Sequence, residues 1–517
     1  MTNQPTSFLA IKRRSYPVSL HAMTFILWLA FSLRLTYVKQ VSPFVDEYIS
    51  MLAIESILEQ GLPVLPSGFF YGPKALLHSY LGAIAVKLFG PLEFGGRYLS
   101  VVAGVLTVVL LYRIGRRWFS PNVGVLAAAA LATLPSAVEW SGRVRMYGLV
   151  QLLALAGVFF LLEGSLKSNY YQGRMLGLVL LTAALFTHTV AFTVIAGLII
   201  VIGSILLARF LKTKHLQKLW PREYLALGVL LAAVVIFNPL NNMAWGPQVQ
   251  LSDLTQGSIN LPDRASYLIA FTHQFVSWPL WPLSIFYGVG FVNLVLRFLK
   301  RQPLPEDAVS LSLYSLVLSI WLFTSLSVKF HHDKYLFVVI PFFLLLALRE
   351  ISSLFDLVLG SFQKQTAFRA SGVAYSLVLP SICGAALVMP STLHLFGQDQ
   401  YGFDAAFAYV QEQWQAGDVV GTCSPASSHL LLGQADYYII QHGAESLQQR
   451  DVWTGAPLLD KPEKFMTVLQ KHPRLWFVVE EFCFERHFDP EFRRLVSNTM
   501  RLEHDQSGVL VFLSTSK

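Results

Sequence analysis

Charge is what this sequence has least of. Asp, Glu, Lys and Arg make up 14% of its 517 residues, against roughly 25% in an average soluble protein. So few ionisable groups cannot cover the surface of a soluble body of this length, which excludes an ordinary cytosolic enzyme and a disordered chain. Three cysteines are too few for a disulfide scaffold. No Gly-rich phosphate loop and no nucleotide-binding motif occurs along the chain. In place of charge there is apolar surface: 54% of the residues are hydrophobic and the mean hydropathy is +0.51, the composition of a membrane protein.

The scarce charge is unevenly spread. Before residue 393 there are 29 Lys and Arg against 15 Asp and Glu, and from there on 10 against 16. A basic part is therefore followed by an acidic one, and two bodies are expected: a transmembrane domain over 1–392 and a small α/β domain outside the membrane over 393–517. The excess of positive charge lies on short connections between apolar stretches, where it reads as topology and not as nucleic-acid binding.

About eleven spans are expected, near Leu20–Val38, Tyr98–Leu111, Val123–Val138, Leu149–Leu162, Met175–Phe186, Val190–Leu211, Tyr224–Phe237, Leu280–Phe298, Val309–Val328, Tyr335–Leu348 and Val373–Val388. Several are shorter than a bilayer and must borrow flanking residues. Basic flanks set the cytoplasmic side: Lys12, Arg13 and Arg14, then Arg113, Arg116 and Arg117, then Lys212 to Arg222, Arg297 to Arg301, and Arg349 to Arg369. The first span has no small-residue cleavage site after it and reads as a retained helix. With an odd number of spans, the acidic tail faces outward.

The apolar stretch Ala75–Phe89 is the exception. Counted as a span it would place Arg113, Arg116 and Arg117 outside, so it is expected to lie at the outer interface or to enter only part way. The outer loop over 39–96 is then long, broken by Pro43, Pro63, Pro66, Gly68, Gly72, Pro73 and Pro91, with a helical pattern from Glu47 to Gln60. In the tail, helices are expected over Tyr401–Gln415 and Pro462–Gln470. A turn is expected at Gly417 and Asp418, and strands over Val419–Thr422, Leu475–Val479 and Val509–Leu513. Cys423 and Cys483 both fall in this region, and pairing between them stays open.

Asp46 and Glu47 stand together just after the first span. They fit the first turn of a helix, where negative charge is favourable. They equally fit a general base held at the membrane surface beside a second carboxylate that tunes it or binds a metal or acceptor. Arg97, Arg143 and Arg145 lie at outer ends of spans, where arginine either snorkels to headgroups or grips a phosphate. The segment "VKFHHDKYL" brings Lys329, His331, His332, Asp333, Lys334 and Tyr335 to the same side. Neighbouring histidines point apart, so phosphate contact suits them better than a metal site. A carboxylate base with a cationic grip on a phosphate leaving group is what sugar transfer from a lipid phosphate requires.

The order "DEYISMLAIESILEQGLPVLP", "YGPKALLHSYLGAIAVKLFGPLEFGGRYLSVVAGVLTVVLLYRIGRRWF", "SGRVRMYGLVQLLAL", "DKYLFVVIPFFLLLAL" resembles glycosyltransferase family 39, the protein O-mannosyltransferases and aminoarabinose transferases with the C-type glycosyltransferase (GT-C) fold. The resemblance covers about the first 350 residues of the 517. It implies an inverting transfer of one hexose or pentose from a polyprenyl-phosphate sugar to a lipid, glycan or protein acceptor outside the cytoplasm. It implies Asp46 as the catalytic acidic residue with Glu47 beside it, and Arg97, Arg145, Lys334, Lys74, His331 and His332 as contacts to the donor phosphate. Tyr147 and Tyr335 are implied as substrate contacts. Where many members read His-Pro-Pro or Lys-Pro-Pro, this chain has Gly72, Pro73 and Lys74. Some relatives carry a second acidic residue where this chain has Tyr147, with Glu139 nearby as a substitute. A divalent metal has no clear site.

The tail ends "LSTSK" without an ER-retrieval tetrapeptide, and it resembles bacterial members, which implies a bacterial cytoplasmic membrane and undecaprenyl phosphate as carrier. The competing reading is a transporter or flippase of lipid-linked sugars, although no half of the chain repeats the other as such folds often do. A non-catalytic scaffold, with Asp46 as a mere cap, is a third.

Overall fold

The computed structural model describes residues 20–166, 171–213, 228, 261–327, 332–363, 391–396, 402–444 and 446–514. Helices dominate the first of these stretches because long apolar runs satisfy every backbone polar group internally, as a bilayer demands. They are α1 (Leu20–Gln40), α2 (Val45–Gln60), α3 (Gly72–Phe89), α4 (Leu92–Trp118), α5 (Pro121–Thr133), α6 (Pro135–Trp140), α7 (Tyr147–Leu166), α8 (Tyr171–Thr187) and α9 (Ala191–Thr213). After residue 260 come α10 (Leu261–Val276), α11 (Trp281–Leu299), α12 (Asp307–Ser327), a 3-10 helix (Asp333–Val339) and α13 (Ile340–Gln363).

Among the described residues, seven helices are long and apolar enough to cross a membrane, and all seven fall on expected spans. Along α11, Val289, Val292, Leu296 and Leu299 are exposed apolar side chains, a surface suited to lipid. One expected span turns out differently. Val123–Val138 is not one helix: Pro135 forces Leu134 into an extended conformation (φ −66°, ψ 127°) and splits α5 from α6. Met175–Phe186 lies in α8, which has 17 residues and is not among the seven. Tyr224–Phe237 and Val373–Val388 lie outside the described residues.

Close helix packing relies on glycine. A Cβ on Gly115 of α4 would stand 2.7 Å from the Cα of Gly124 on α5, and one on Gly177 of α8 would stand 2.9 Å from the carbonyl of Gly157 on α7. Small residues of this kind let backbones touch where water cannot drive association. Arg34 of α1, 1% exposed, fastens the break at Pro135. Its guanidinium donates to the carbonyls of Ala30, Ala132, Leu131 and Ala137 and to Ser141 Oγ. A cation at the C-terminus of α5 answers the orphan carbonyls and dipole there, and it fixes the direction in which the chain leaves for residues 141–146.

The stretch between α1 and α4 is structured, with α2 and α3 joined by a tight excursion in which Val64 bridges Phe70. α2 begins with the Phe44 amide donating to the Glu47 side chain, to Oε1 at 3.0 Å, and ends at Gly61 in the left-handed region (φ 81°). α3 is not among the seven candidate spans.

Near the C-terminus a six-stranded sheet forms, built from β1 (Val419–Thr422), β2 (Tyr437–Ile439), β5 (Leu458–Leu459), β6 (Leu475–Glu480), β7 (Met500–Gln506) and β8 (Val509–Ser514) in the order β5-β2-β1-β6-β8-β7. The first four are parallel, and β8 runs antiparallel to both β6 and β7. The β7–β8 hairpin turns on Ser507 and Gly508, both at positive φ (54° and 75°), as a two-residue turn between twisted strands requires. A separate pair, β3 (Ser446–Leu447) and β4 (Arg450–Asp451), is antiparallel.

Alternation along β6 and β8 divides the sheet's two faces. Trp476, Val478, Val509, Val511 and Leu513 join the apolar core of the helices, whereas Leu475, Phe477, Val479 and Phe512 pack on the other side. The sheet therefore sits on the helical body: Phe403 meets Tyr48 of α2 edge-on at 6.5 Å, and Ser42 Oγ lies 3.2 Å from Asp404.

Candidate active site

The first two turns of α2 place the adjacent acids in opposite settings. Glu47 is fully buried. Both of its oxygens are engaged by Arg97 in a fork, Nε to Oε2 at 3.0 Å and Nη2 to Oε1 at 3.1 Å. Oε2 also accepts the Val144 amide at 2.7 Å and Oε1 the Phe44 amide. Arg97, itself 0% exposed, spends its remaining nitrogen on the carbonyls of Val38 and Val41 and on Glu93. Burial works against the Glu47 carboxylate, but Arg97 and these amides hold its pKa below the ordinary range.

Asp46, one residue earlier, has a side chain 28% exposed. Its Oδ2 takes Arg145 Nη2 at 3.1 Å and Lys334 Nζ at 3.2 Å. Burial would raise this carboxyl, yet Arg145 and Lys334 outweigh it and hold the pKa at about 2. Among the described residues Oδ1 receives no hydrogen bond, so half of the carboxylate is uncommitted.

Three elements deliver the cations. The chain leaving α6 carries Arg143 and Arg145. Arg143 lies between the Phe44 and Trp140 rings, 4.8 and 4.7 Å from their centroids, and it donates to Tyr37 and to Glu139 Oε1 at 2.7 Å. Arg145 reaches Asp46 and also donates to the Asp46 carbonyl at 2.8 Å and Ser50 Oγ at 3.1 Å. Lys334 comes from the 3-10 helix after α12, which Gln151 of α7 and Gln274 of α10 hold through the carbonyls of Phe337 and Asp333. The Asp333 carboxylate and the His332 ring accept the Lys334 amide. Lys74, in the first turn of α3, completes the set.

The same three cations act electrostatically on one imidazole. His188, between α8 and α9, is half-buried, and desolvation together with Arg145, Lys334 and Lys74 lowers its pKa to about 3. Its ring tilts on Tyr147 at 5.1 Å, and Tyr147 lies 5.8 Å from the Arg145 guanidinium and 5.9 Å from Lys334 Nζ. His78 of α3 is fully buried, with a pKa lowered to about 3 by burial and Arg145. Both of its nitrogens and Arg145 Nε have no hydrogen-bond partner among the described residues, an arrangement that costs roughly 1–3 kcal/mol per group. Tyr71 is buried beside Arg145 and hydrogen-bonds with Ser50.

Of the residues singled out from the sequence, Asp46, Arg145, Lys334, Tyr147 and His332 come together, with Tyr335 beside Lys334 at 5.8 Å and Lys74 within electrostatic reach. Glu47 and Arg97 are brought near but turned inward on each other, away from the half-exposed face of Asp46. His331 lies outside the described residues. Tyr71, His78, His188 and Ser50 carried no motif: a single buried histidine or tyrosine on an apolar helix reads as core. Asp46 is flanked by two cations, a setting that repels a third, and Glu139 is paired with Arg143. Among the described residues no three His, Cys, Asp or Glu side chains converge as metal ligands would.

Known proteins share this framework. Residues 73–240 match the family profile described as dolichyl-phosphate-mannose-protein mannosyltransferase. No curated protein matches the chain significantly. Among solved structures, ArnT from Cupriavidus metallidurans in the apo state is similar with a TM-score of 0.60 at 16% identity, over 95% of this chain and 97% of that one. The same protein bound to undecaprenyl phosphate gives 0.58 at 15%, over 96% and 99%. AglB from Archaeoglobus fulgidus, in complex with an inhibitory peptide and a dolichol-phosphate, gives 0.52 at 12%, over 90% of this chain and 69% of that one. The fold is that of the GT-C glycosyltransferases, and the resemblance to family 39 stands.

Proposed function

We propose that this chain is an inverting glycosyltransferase that moves one sugar from a polyprenyl-phosphate donor to a lipid, glycan or protein acceptor at the outer face of a bacterial cytoplasmic membrane, with the C-terminal sheet on that face. The observation that carries this reading is Asp46: a half-committed carboxylate between Arg145 and Lys334. Its second oxygen, without a hydrogen bond among the described residues, is free to take a proton.

The chemistry follows from charge. The donor presents a phosphate joined to the anomeric carbon, and Arg145, Lys334 and Lys74 are the cations placed to receive it. As Arg145 and Lys334 turn toward the phosphate, Asp46 loses the interactions that hold its pKa at about 2 and becomes the stronger base. It takes the acceptor hydroxyl proton, and the oxygen attacks the anomeric carbon from the face opposite the phosphate. The bond from that carbon to the phosphate oxygen breaks, so the configuration inverts and the lipid phosphate leaves with the bonding pair, its charge met by the same cations.

Tyr147 and Tyr335 flank Lys334 as substrate contacts, and His332 fixes the start of the turn that bears it. Glu47 and Arg97 act at one remove, as a buried clamp that orients α2 and holds Val144, the residue before Arg145, in register. Incubating purified protein with a polyprenyl-phosphate sugar and an acceptor extract tests the reading. Wild type consumes donor and Asp46→Asn does not. Equal turnover by a folded Asp46→Asn would exclude Asp46 as the base, and binding without turnover by either would favour a transporter.

A further inference from the structure

The loop after β4 does more than connect strands. Asp451 accepts both the amide and the hydroxyl of Thr454 at 2.7 Å, and its own amide donates to the Ala456 carbonyl at 2.8 Å. This tight turn ends at Gly455, in the left-handed region (φ 80°), and thrusts Trp453 onto the excursion between α2 and α3. There Ser67 donates its amide to the Trp453 carbonyl at 3.2 Å and its hydroxyl to the Val452 carbonyl at 2.6 Å. The indole, 9% exposed, packs edge-on against Phe69 at 5.3 Å and Tyr71 at 6.0 Å. Lys74 Nζ stands 5.8 Å from the ring centroid, within cation–π range.

A flexible lysine at the start of a helix has side-chain entropy to lose before it can serve a ligand. An aromatic face that holds the ammonium in place removes much of that loss in advance. Lys74 Nζ faces Trp453 on one side, and its amide donates at 3.0 Å to the carbonyl of Tyr71, whose buried ring lies beside Arg145. We infer that Trp453, contributed by the C-terminal region, is a positioning residue that presents Lys74 to the donor phosphate. The inference rests on the donor reading above and gives the C-terminal region a specific part in it.

A double-mutant cycle on the full-length protein tests this, with undecaprenyl phosphate as the probe. Trp453→Leu, which keeps apolar bulk and loses the π-face, weakens binding about tenfold by the inference, and Lys74→Met weakens it at least as much. The two together are no weaker than Lys74→Met alone. Additive weakening, or unchanged binding in Trp453→Leu, overturns the inference. Should the leucine variant not fold, Trp453→Phe keeps the packing on Phe69 with a smaller face. A partial weakening that vanishes in the Lys74→Met background supports positioning, and unchanged binding or a weakening that persists there overturns it. Lys334→Met separates the two levels: if wild type binds undecaprenyl phosphate no better than Lys334→Met does, the donor reading fails and takes this inference with it. A Lys334 dependence without a Trp453–Lys74 coupling removes the inference alone.

Discussion

Two clusters of arginine and carboxylate lie at opposite ends of the same helices. α12 starts at Asp307, and Lys334 follows its other end. Asp307 has a side chain 1% exposed and uses both oxygens: Arg297 forks onto it at 2.9 Å twice, Arg349 adds a contact at 3.0 Å and the Leu304 amide one at 2.8 Å. Asp46 is 28% exposed and offers one oxygen to two cations. Both acids are ionic anchors in an apolar body, and saturation is what separates them. A carboxylate whose lone pairs are all taken can only hold structure. One with an oxygen to spare, next to cations that a phosphate could recruit, is equipped to react. Glu47 belongs with Asp307 by this measure, although it is the direct neighbour of Asp46.

The sharpest way to break the comparison is to neutralise each acid in turn. Asp46→Asn lowers turnover by about 10²–10⁴, the usual worth of a general base, and lowers the melting temperature less than loss of a saturated acid does, because Asp46 is 28% exposed although Arg145 and Lys334 lose their counter-charge. Asp307→Asn and Glu47→Gln act mainly on stability. Leaving a buried arginine uncompensated destabilises by about 3–5 kcal/mol, seen as a lowered melting temperature, while the fraction of Asp307→Asn that folds keeps its turnover per molecule. Full activity in Asp46→Asn, or a turnover defect in well-folded Asp307→Asn, would dissolve the distinction.

Lys334→Met is a milder test on the reactive side. Losing a charged hydrogen bond to the donor phosphate raises its KM about tenfold or more, in line with the roughly 1.5–3 kcal/mol of such bonds, and leaves Asp307 untouched. The smallest effect is on pH. The folded-state pKa of Asp46 is depressed to about 2 from an ordinary value near 4. Its contribution to stability is therefore complete above about pH 4 and is lost as pH falls toward 2. No acid limb of the rate profile arises from the free enzyme's Asp46 between about pH 4 and 7. In Lys334→Met the limb moves upward, and an unmoved limb would detach Lys334 from Asp46.

Much of this was legible in the sequence where one local rule dominates. Seven of the long apolar runs became candidate spanning helices among the described residues, and the strands at Val419–Thr422, Leu475–Glu480 and Val509–Ser514 were visible as β-branched and aromatic runs between turn residues. β2 and β5, of three and two residues, are too short to show a period, and β7 reads "MRLEHDQ", a polar edge strand without alternation. Leu134–Pro135 carried its break openly as a proline, but the apolar residues on both sides masked it.

At the site, Asp46, Arg145 and Lys334 were found through charge at the ends of apolar runs. The division of labour between Asp46 and Glu47 was not, because it depends on which acid faces Arg97, 50 positions away. Trp453 was beyond reach for the same reason, since its partners Ser67, Phe69, Tyr71 and Lys74 are set by how the sheet seats on the helices. His78 and His188 are single residues on apolar stretches, and only the surrounding cations mark them.

The central claim is that the unsaturated acid is the reactive one. Its most direct test is the rate of sugar transfer from a polyprenyl-phosphate sugar by wild type, Asp46→Asn and Asp307→Asn, each normalised to folded protein. The account predicts transfer by wild type and Asp307→Asn and a loss of at least a hundredfold in Asp46→Asn. Comparable rates for wild type and Asp46→Asn would contradict it.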